Sequence, residues 1–455
     1  MQEKYDVVVV GSGLGGLLAG ASLAHSGYKT LVVETLSRIG GKCSTEEYEG
    51  FKLTTGAPSL HYHGTEIEEV FNEVGAEFEF ATPSRLCYRI AGTDYEMPAK
   101  GALGMWLDVV NKLEEDRVKL TGGLVRAVAK EKILAAWKRG AQEPQKEKER
   151  TFKEWLLQYT DNELTHSLFD VISTMWGGHI HEVPASDMFG FMVAAKGFRD
   201  VVIAPRGNIG NMEKLADVVK VNGDVWLNCR ATQILVTGKE AKAVVVQKDG
   251  GEVEVASQVV ISNIRPKATV ELAGEGNFDQ EYLRTVRRLR PNSCFVCFIA
   301  SDRPLWPEDG SSGVLQVAGT RRLNAFIPYT NLSPEYAPPG QCLAFALGFP
   351  QSMFAHMDEE VEKEQMLLDI KEHFPLFEKH GRVLKWLFRH CDDELPYLGT
   401  ASGEGIPFCE TPVRNLYCVG DAIMTTFGLG GSPCAAASAK VAAGIVKKRY
   451  KPGQA

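Results

Sequence analysis

Residues Tyr5 to Lys42 read YDVVVVGSGLGGLLAGASLAHSGYKTLVVETLSRIGGK, and this stretch decides the fold. Tyr5–Gly11 is almost wholly apolar, as expected of a parallel strand covered on both faces. Small and apolar residues follow at helical spacing until Gly27 stops them. Lys29–Glu34 is a second buried strand. Strand, helix and strand make one βαβ unit.

Gly11-x-Gly13-x-x-Gly16 occupies the turn between the first strand and the helix. Gly11 makes the tight turn, Gly13 leaves room for a pyrophosphate, and Gly16 lets the helix press on the strand. Ser12 and Leu14 complete the loop, whose free N–H groups attract a diphosphate. Glu34 comes 23 residues after Gly11, at the end of the second strand, where a carboxylate accepts hydrogen bonds from ribose hydroxyls. Two anions would meet if the ligand were NADP, so NADP is disfavoured; NAD and FAD are not separated by this residue. The residues after it do separate them. Gly40-Gly41, flanked by Arg38 and Lys42, form a second nest of N–H groups with cationic cover, which a simple NAD site does without.

The rest of the chain sets bounds on this reading. Its 455 residues exceed one compact core and predict two domains. The net charge of −8 argues against attraction to nucleic acid. No apolar run is long enough to span a bilayer, and a strand begins where a secretion signal would need its apolar core, so a cytoplasmic protein is expected. Ten cysteines are scattered. Cys294 and Cys297 lie in an apolar β-type run without a helix N-terminus or a second ligand pair, which predicts buried reduced thiols rather than a redox or zinc motif.

The α/β texture returns at residues 207–263 and again in NLYCVGDAIMTTFGLGGSPCAAASAK near the end. Between these blocks the texture changes. Residues 65–80 and the stretch beginning at Lys100 read as amphipathic helices, residues 138–154 as a charged loop leading to a helix, and residues 155–200 as mostly helical. The expectation is an α/β Rossmann-type dinucleotide domain of residues 1–85, 200–265 and 405–455. An α+β substrate domain is inserted, from residues 86–199 and 266–404, its helical part roughly 100–199.

With these residues in view, the chain resembles the flavin amine oxidase and phytoene desaturase superfamily. Glu34, Arg38, Gly40, Gly41 and Lys42 match its extended FAD fingerprint, with lysine where arginine is usual. The closing segment resembles the family's flavin motif. That implies roles for Gly420, for Asp421 at the ribityl or diphosphate region, and for Gly430 and Gly431 where a helix N-terminus faces the flavin pyrimidine. The resemblance further implies that Ala231 meets the adenine through its backbone and that Ala57, Pro58 and Ser59 line the flavin. Thr54 stands where desaturases usually carry aspartate, so an aspartate-dependent contact does not transfer. A glutathione-reductase-like FAD domain is the implied fold, and FAD the implied cofactor.

Flavin performs the hard redox step itself, so no strong base is demanded. His61 and His63 follow the flavin-lining segment; an imidazole there is either a proton shuttle or a satisfied structural residue. Tyr397 could border the pocket, and Tyr329, Phe326 and Tyr397 could form an aromatic cage for an amine. His179, His181 and Glu182 raise the idea of a metal, but no third histidine or cysteine has the spacing, and packing is preferred; no metal is expected. Lys100–Leu107 is either a peripheral membrane patch or, by preference, an ordinary amphipathic helix. The expected function is FAD-dependent dehydrogenation or saturation of a C–C bond in a hydrophobic, isoprenoid- or polyene-like substrate. The alternatives are an amine oxidase producing hydrogen peroxide and a double-bond isomerase that uses reduced flavin.

Overall fold

The computed structural model describes residues 3–97, 110–114, 117–137, 150–175, 177–194, 201–289, 291–391, 408–423 and 431–454. Tyr397, Gly430, the Lys100–Leu107 patch and the charge run at 138–149 lie outside the described residues.

The opening stretch folds as strand Glu3–Val10, helix Leu14–His25 and strand Thr30–Val33. The two strands pair in parallel, Val7 opposite Thr30 and Val10 opposite Val33. On one side Thr30–Val33 pairs with Gly223–Trp226; on the other Glu3–Val10 pairs with the long strand Gly251–Ser262, both in parallel. Leu416–Cys418 adds to the far end of that long strand, also in parallel. Its near end continues antiparallel into Glu240–Lys248 and Arg230–Thr237. A two-residue loop, Asp249-Gly250, joins Glu240–Lys248 to the long strand. Both its residues have positive φ (51° and 80°), the hairpin geometry that matches strand twist.

Alternation explains the all-apolar run. Val7 and Val9 face helices Leu14–His25, Asn208–Val221 and Ser432–Arg449, while Val8 and Val10 face Val244, Val246 and the residues around Val270 and Leu283. Val7, Val8 and Val9 are fully buried, each stabilising by roughly 1.5–3 kcal/mol. Helix Ser432–Arg449 buries Ala435, Ala436, Ala439, Ala442 and Ala443, and such small side chains let it come close to helix Leu14–His25. This mixed α/β body is Rossmann-like.

A second sheet runs in the order Gly381–Arg389, Cys294–Ser301, Cys342–Gly348, Leu323–Pro328, Gly313–Val317, Arg85–Ile90, Thr93–Glu96. One face packs on Phe51, Leu53 and Ile203, and the other on Met366 and Ile370 of helix Glu359–His373 and on Phe374 directly after it. Cys294 and Cys297 are three apart on one strand and so point to opposite faces, each buried and reduced. A separate cluster gathers the helical segments around Phe152, Phe169 and Phe189.

Two helix readings need correction. The helix expected over 65–80 covers only Glu66–Val74, because Gly75 takes the left-handed conformation (φ 69°) that ends it. The helix expected from Lys100 to Leu120 lies largely outside the described residues; within them it is interrupted at Glu114, and a helix runs from Arg117 to Trp137.

Candidate functional site

Three chain segments meet at the fingerprint loop. Gly11 N–H donates to Val33 O (2.8 Å), which extends the strand pairing into the turn. Gly40 N–H donates to Ser12 O (2.9 Å), and Gly40 forms a parallel bridge with Gly13, so the second nest docks directly on the first. Gly41 O accepts from Arg38 Nη1 (3.0 Å) and Thr55 Oγ1 (2.8 Å). Lys42 Nζ pairs with Asp421 Oδ2 at 2.5 Å, joining the two ends of the chain. The opening motif thus places its glycines and cations together because they form one wall.

Glu34 is buried and saturated with donors. Its Oε2 accepts from Ser12 N (2.9 Å) and Ser12 Oγ (2.6 Å), and its Oε1 from Leu36 N (2.9 Å). Backbone bonds from Asn228 N to Leu36 O and from Cys229 N to Glu34 O bring Ala231 to the same end of the sheet. At the opposite end, Ala57 N donates to Lys42 O (2.8 Å), and Asn208 Nδ2 donates to Ala57 O (2.9 Å). Thr54 Oγ1 donates to Ala57 O (2.8 Å), which an ionised aspartate could not do. Tyr329 Oη donates to Pro58 O (3.0 Å) and Arg389 Nη2 to Thr55 O (2.9 Å), tying the second sheet onto this segment.

The residues fit a dinucleotide. Among the described residues no side chain caps helix Leu14–His25 or helix Ser432–Arg449, which leaves first-turn amides for a ligand. Gly16 approaches its strand so closely that a Cβ there would lie 2.2 Å from Gly11 O. At Gly13 the protein adds a further reason for glycine: a Cβ there would fall 2.6 Å from Asn263 Nδ2.

Asn263 is the residue that sequence reasoning passed over. Its side chain also lies 2.8 Å from a Cβ on Gly15, 3.0 Å from one on Gly16 and 3.2 Å from one on Gly420. Its own N–H donates to Val10 O (2.8 Å). Both terminal motifs therefore close around one amide side chain. The only sequence signal was its place directly after a buried strand end.

Among the proposed catalytic positions, His61 is half-buried and pairs with Val201 in a two-residue strand. His63 lies at the surface against Phe80, its Nδ1 3.7 Å from Glu68 Oε1. The Tyr329–Phe326 cage is not assembled. Tyr329 stacks on Tyr336 (centroids 4.6 Å apart), whereas Phe326 faces the other side of the sheet and stacks on Phe374 (4.1 Å). Burial pushes the Tyr329 phenol well above its ordinary range and the Cys43 and Cys434 thiols up to about 12, so all three stay protonated.

Asp170, nine residues before His179, was also missed; with His179 and His181 it forms a group of ligand-type atoms within 4.8 Å. Hydrogen bonds account for it. His179 Nδ1 lies 2.8 Å from Asp170 Oδ2 and its Nε2 2.9 Å from Pro350 O, so both ring nitrogens face acceptors, an arrangement that favours the charged ring. Burial opposes that charge, but the Asp170 hydrogen bond and charge, with the Pro350 carbonyl, outweigh it and raise the pKa. A raised folded pKa gives stability that is complete below the unfolded value of about 6.5 and lost as pH rises through the folded value. Thermal midpoints of wild type and His179→Gln measured across this window are expected to converge as pH rises. A constant gap would remove the ion pair from the account.

Strand, glycine turn and helix at one end, the closing glycine motif at the other, and a cationic second nest define a flavin dinucleotide-binding oxidoreductase. The family model described as flavin containing amine oxidoreductase matches residues 14–446, and the chain belongs to that family. Its cofactor is FAD. An oxidoreductase from Methanosarcina mazei has a similar structure, with a TM-score of 0.77 and 26% identity over 96% of this chain and 99% of that one. Human all-trans-retinol 13,14-reductase is 48% identical over 62 residues, 14% of this chain and 10% of that protein. The zeta-carotene-forming phytoene desaturase of Myxococcus xanthus is 40% identical over 73 residues, 16% of this chain and 14% of that one. The match thus spans only a small part of the length of these curated relatives.

Proposed function

We propose that this enzyme dehydrogenates or saturates a C–C bond of an apolar, isoprenoid- or polyene-like substrate. FAD, when bound, supplies a hydride acceptor or donor at N5. Gly11, Ser12, Gly13, Leu14 and Gly16 would hold its diphosphate with Arg38, Gly41, Lys42, Gly420 and Asp421. Glu34 and Ala231 would hold its adenosine end, and Ala57, Pro58, Ser59, Gly430 and Gly431 its ring.

One observation carries the reading. The side chains on Thr55–Pro58 are Thr54, Asn208, Tyr329 and Arg389, a hydroxyl, an amide, a protonated phenol and a guanidinium, none of them a base at neutral pH. The sheet face behind them is apolar, built from Val296, Phe298, Ile327 and Phe345. Such surroundings suit C–H chemistry on a hydrocarbon, where substrate orientation matters more than proton transfer. The names of two relatives, a retinol reductase and a phytoene desaturase, support the same substrate class. All ten cysteines are free thiols, which fits a reducing, cytoplasmic compartment.

The family description favours amine oxidation as a second reading. Anaerobic mixing of the yellow enzyme with a polyene panel and an amine panel separates the two. Bleaching by a polyene, without peroxide from any amine once oxygen is admitted, is expected. Bleaching and peroxide with an amine alone would overturn the proposal. Turnover that requires prior flavin reduction yet leaves substrate and product at one oxidation state would replace it with isomerisation.

A further inference from the structure

Helix Arg117–Trp137 has two apolar faces. One buries Leu120, Leu124 and Val128 in the cluster that holds Met188 and Phe191. The other is turned outward: Val118, Val125 and Ile133 are 76%, 45% and 65% exposed, and Ala129 between them is exposed too. Single exposed apolar residues are ordinary, but these recur at i, i+7, i+11 and i+15. At 100° per residue they share an arc of about 80°, a row about 22 Å long.

Charge runs beside that row. Lys119, Arg126 and Lys130 are exposed and fall on the adjoining arc of the same helix. The one acid of the helix, Glu131, is buried. A chain of net charge −8 therefore displays a local cationic strip against an apolar one. No helix among the described residues is long and apolar enough to cross a membrane, so a helix of this kind lies on a surface rather than through it.

We propose that this helix face docks on an anionic lipid bilayer, with Val118, Val125 and Ile133 in the headgroup–acyl boundary and Lys119, Arg126 and Lys130 on lipid phosphates. A second copy of the chain is the poorer occupant, because a two-fold interface centred on the row would oppose its cations to each other. The inference stands apart from the substrate reading, since it concerns only this helix.

The test is co-sedimentation of holoenzyme with vesicles of phosphatidylcholine alone or mixed with phosphatidylglycerol. Sedimentation with the anionic vesicles and its loss at high salt are expected. Arg126→Glu with Lys130→Glu should weaken it by at least about tenfold, and Val125→Asp with Ile133→Asp should do the same. Both double variants should keep full flavin content, the altered side chains being exposed. No sedimentation with anionic vesicles, equal sedimentation with neutral ones, or binding untouched by both variants would overturn the proposal. So would a dimer in sedimentation velocity that Val125→Asp with Ile133→Asp breaks, since the face would then be a subunit interface.

Discussion

Gly16→Ala is expected to purify colourless. The added methyl would lie 2.2 Å from Gly11 O and 3.0 Å from Asn263 Cβ, and the nearer atom is backbone that no rotamer can move aside. The helix has to lift from the strand, which opens the turn that carries the diphosphate amides. Overpacking of this kind costs about 1–3 kcal/mol or more, here concentrated on the ligand loop. Gly20→Ala on the same helix is the control. Its methyl would meet only side-chain carbons, the nearest at 3.3 Å, and alanine favours the helix by roughly 0.5–1 kcal/mol. Flavin-to-protein absorbance ratio and thermal midpoint read both variants. Wild-type flavin content in Gly16→Ala would remove the close helix–strand approach from the binding argument.

The second large effect falls on Glu34. Glu34→Ala removes the acceptor of Ser12 N, Ser12 Oγ and Leu36 N in one step. Each buried donor left unmatched costs about 1–3 kcal/mol, and the ribose would lose the partner proposed for it. FAD affinity is expected to fall by about a hundredfold, the equivalent of some 3 kcal/mol, with a lower thermal midpoint even in the apoprotein. Glu34→Gln should sit between, because an amide has one acceptor oxygen where the carboxylate uses two. Titration of apoprotein with FAD, followed by flavin fluorescence, measures it. Equal affinity in all three proteins would show that the ribose end contributes nothing.

Local physics was legible in the sequence and tertiary contact was not. The Tyr5–Lys42 stretch states its strands, turn and helix through residue type and spacing alone, and the structure forms them within a residue or two. An apolar run also carried the strand at Cys294. Periodicity failed where one residue overrides a pattern, as Gly75 does. Proximity in sequence misled at Phe326 and Tyr329, because the strand ends between them and the two side chains join the cores on opposite faces of the second sheet. Asn263 and Asp170 escaped notice for the opposite reason. Their partners are brought to them by the fold, and beyond the buried strand end before Asn263 nothing in their flanking residues marks them.

Asn263 also says something about timing. It touches glycines at the front of the polypeptide and at Gly420, and Leu416–Cys418 joins the sheet only after that long strand exists. During synthesis the front half must therefore wait with an unfinished cradle until Leu416–Gly420 has left the ribosome. A chain cut short before Leu416 would have a fingerprint with no back wall.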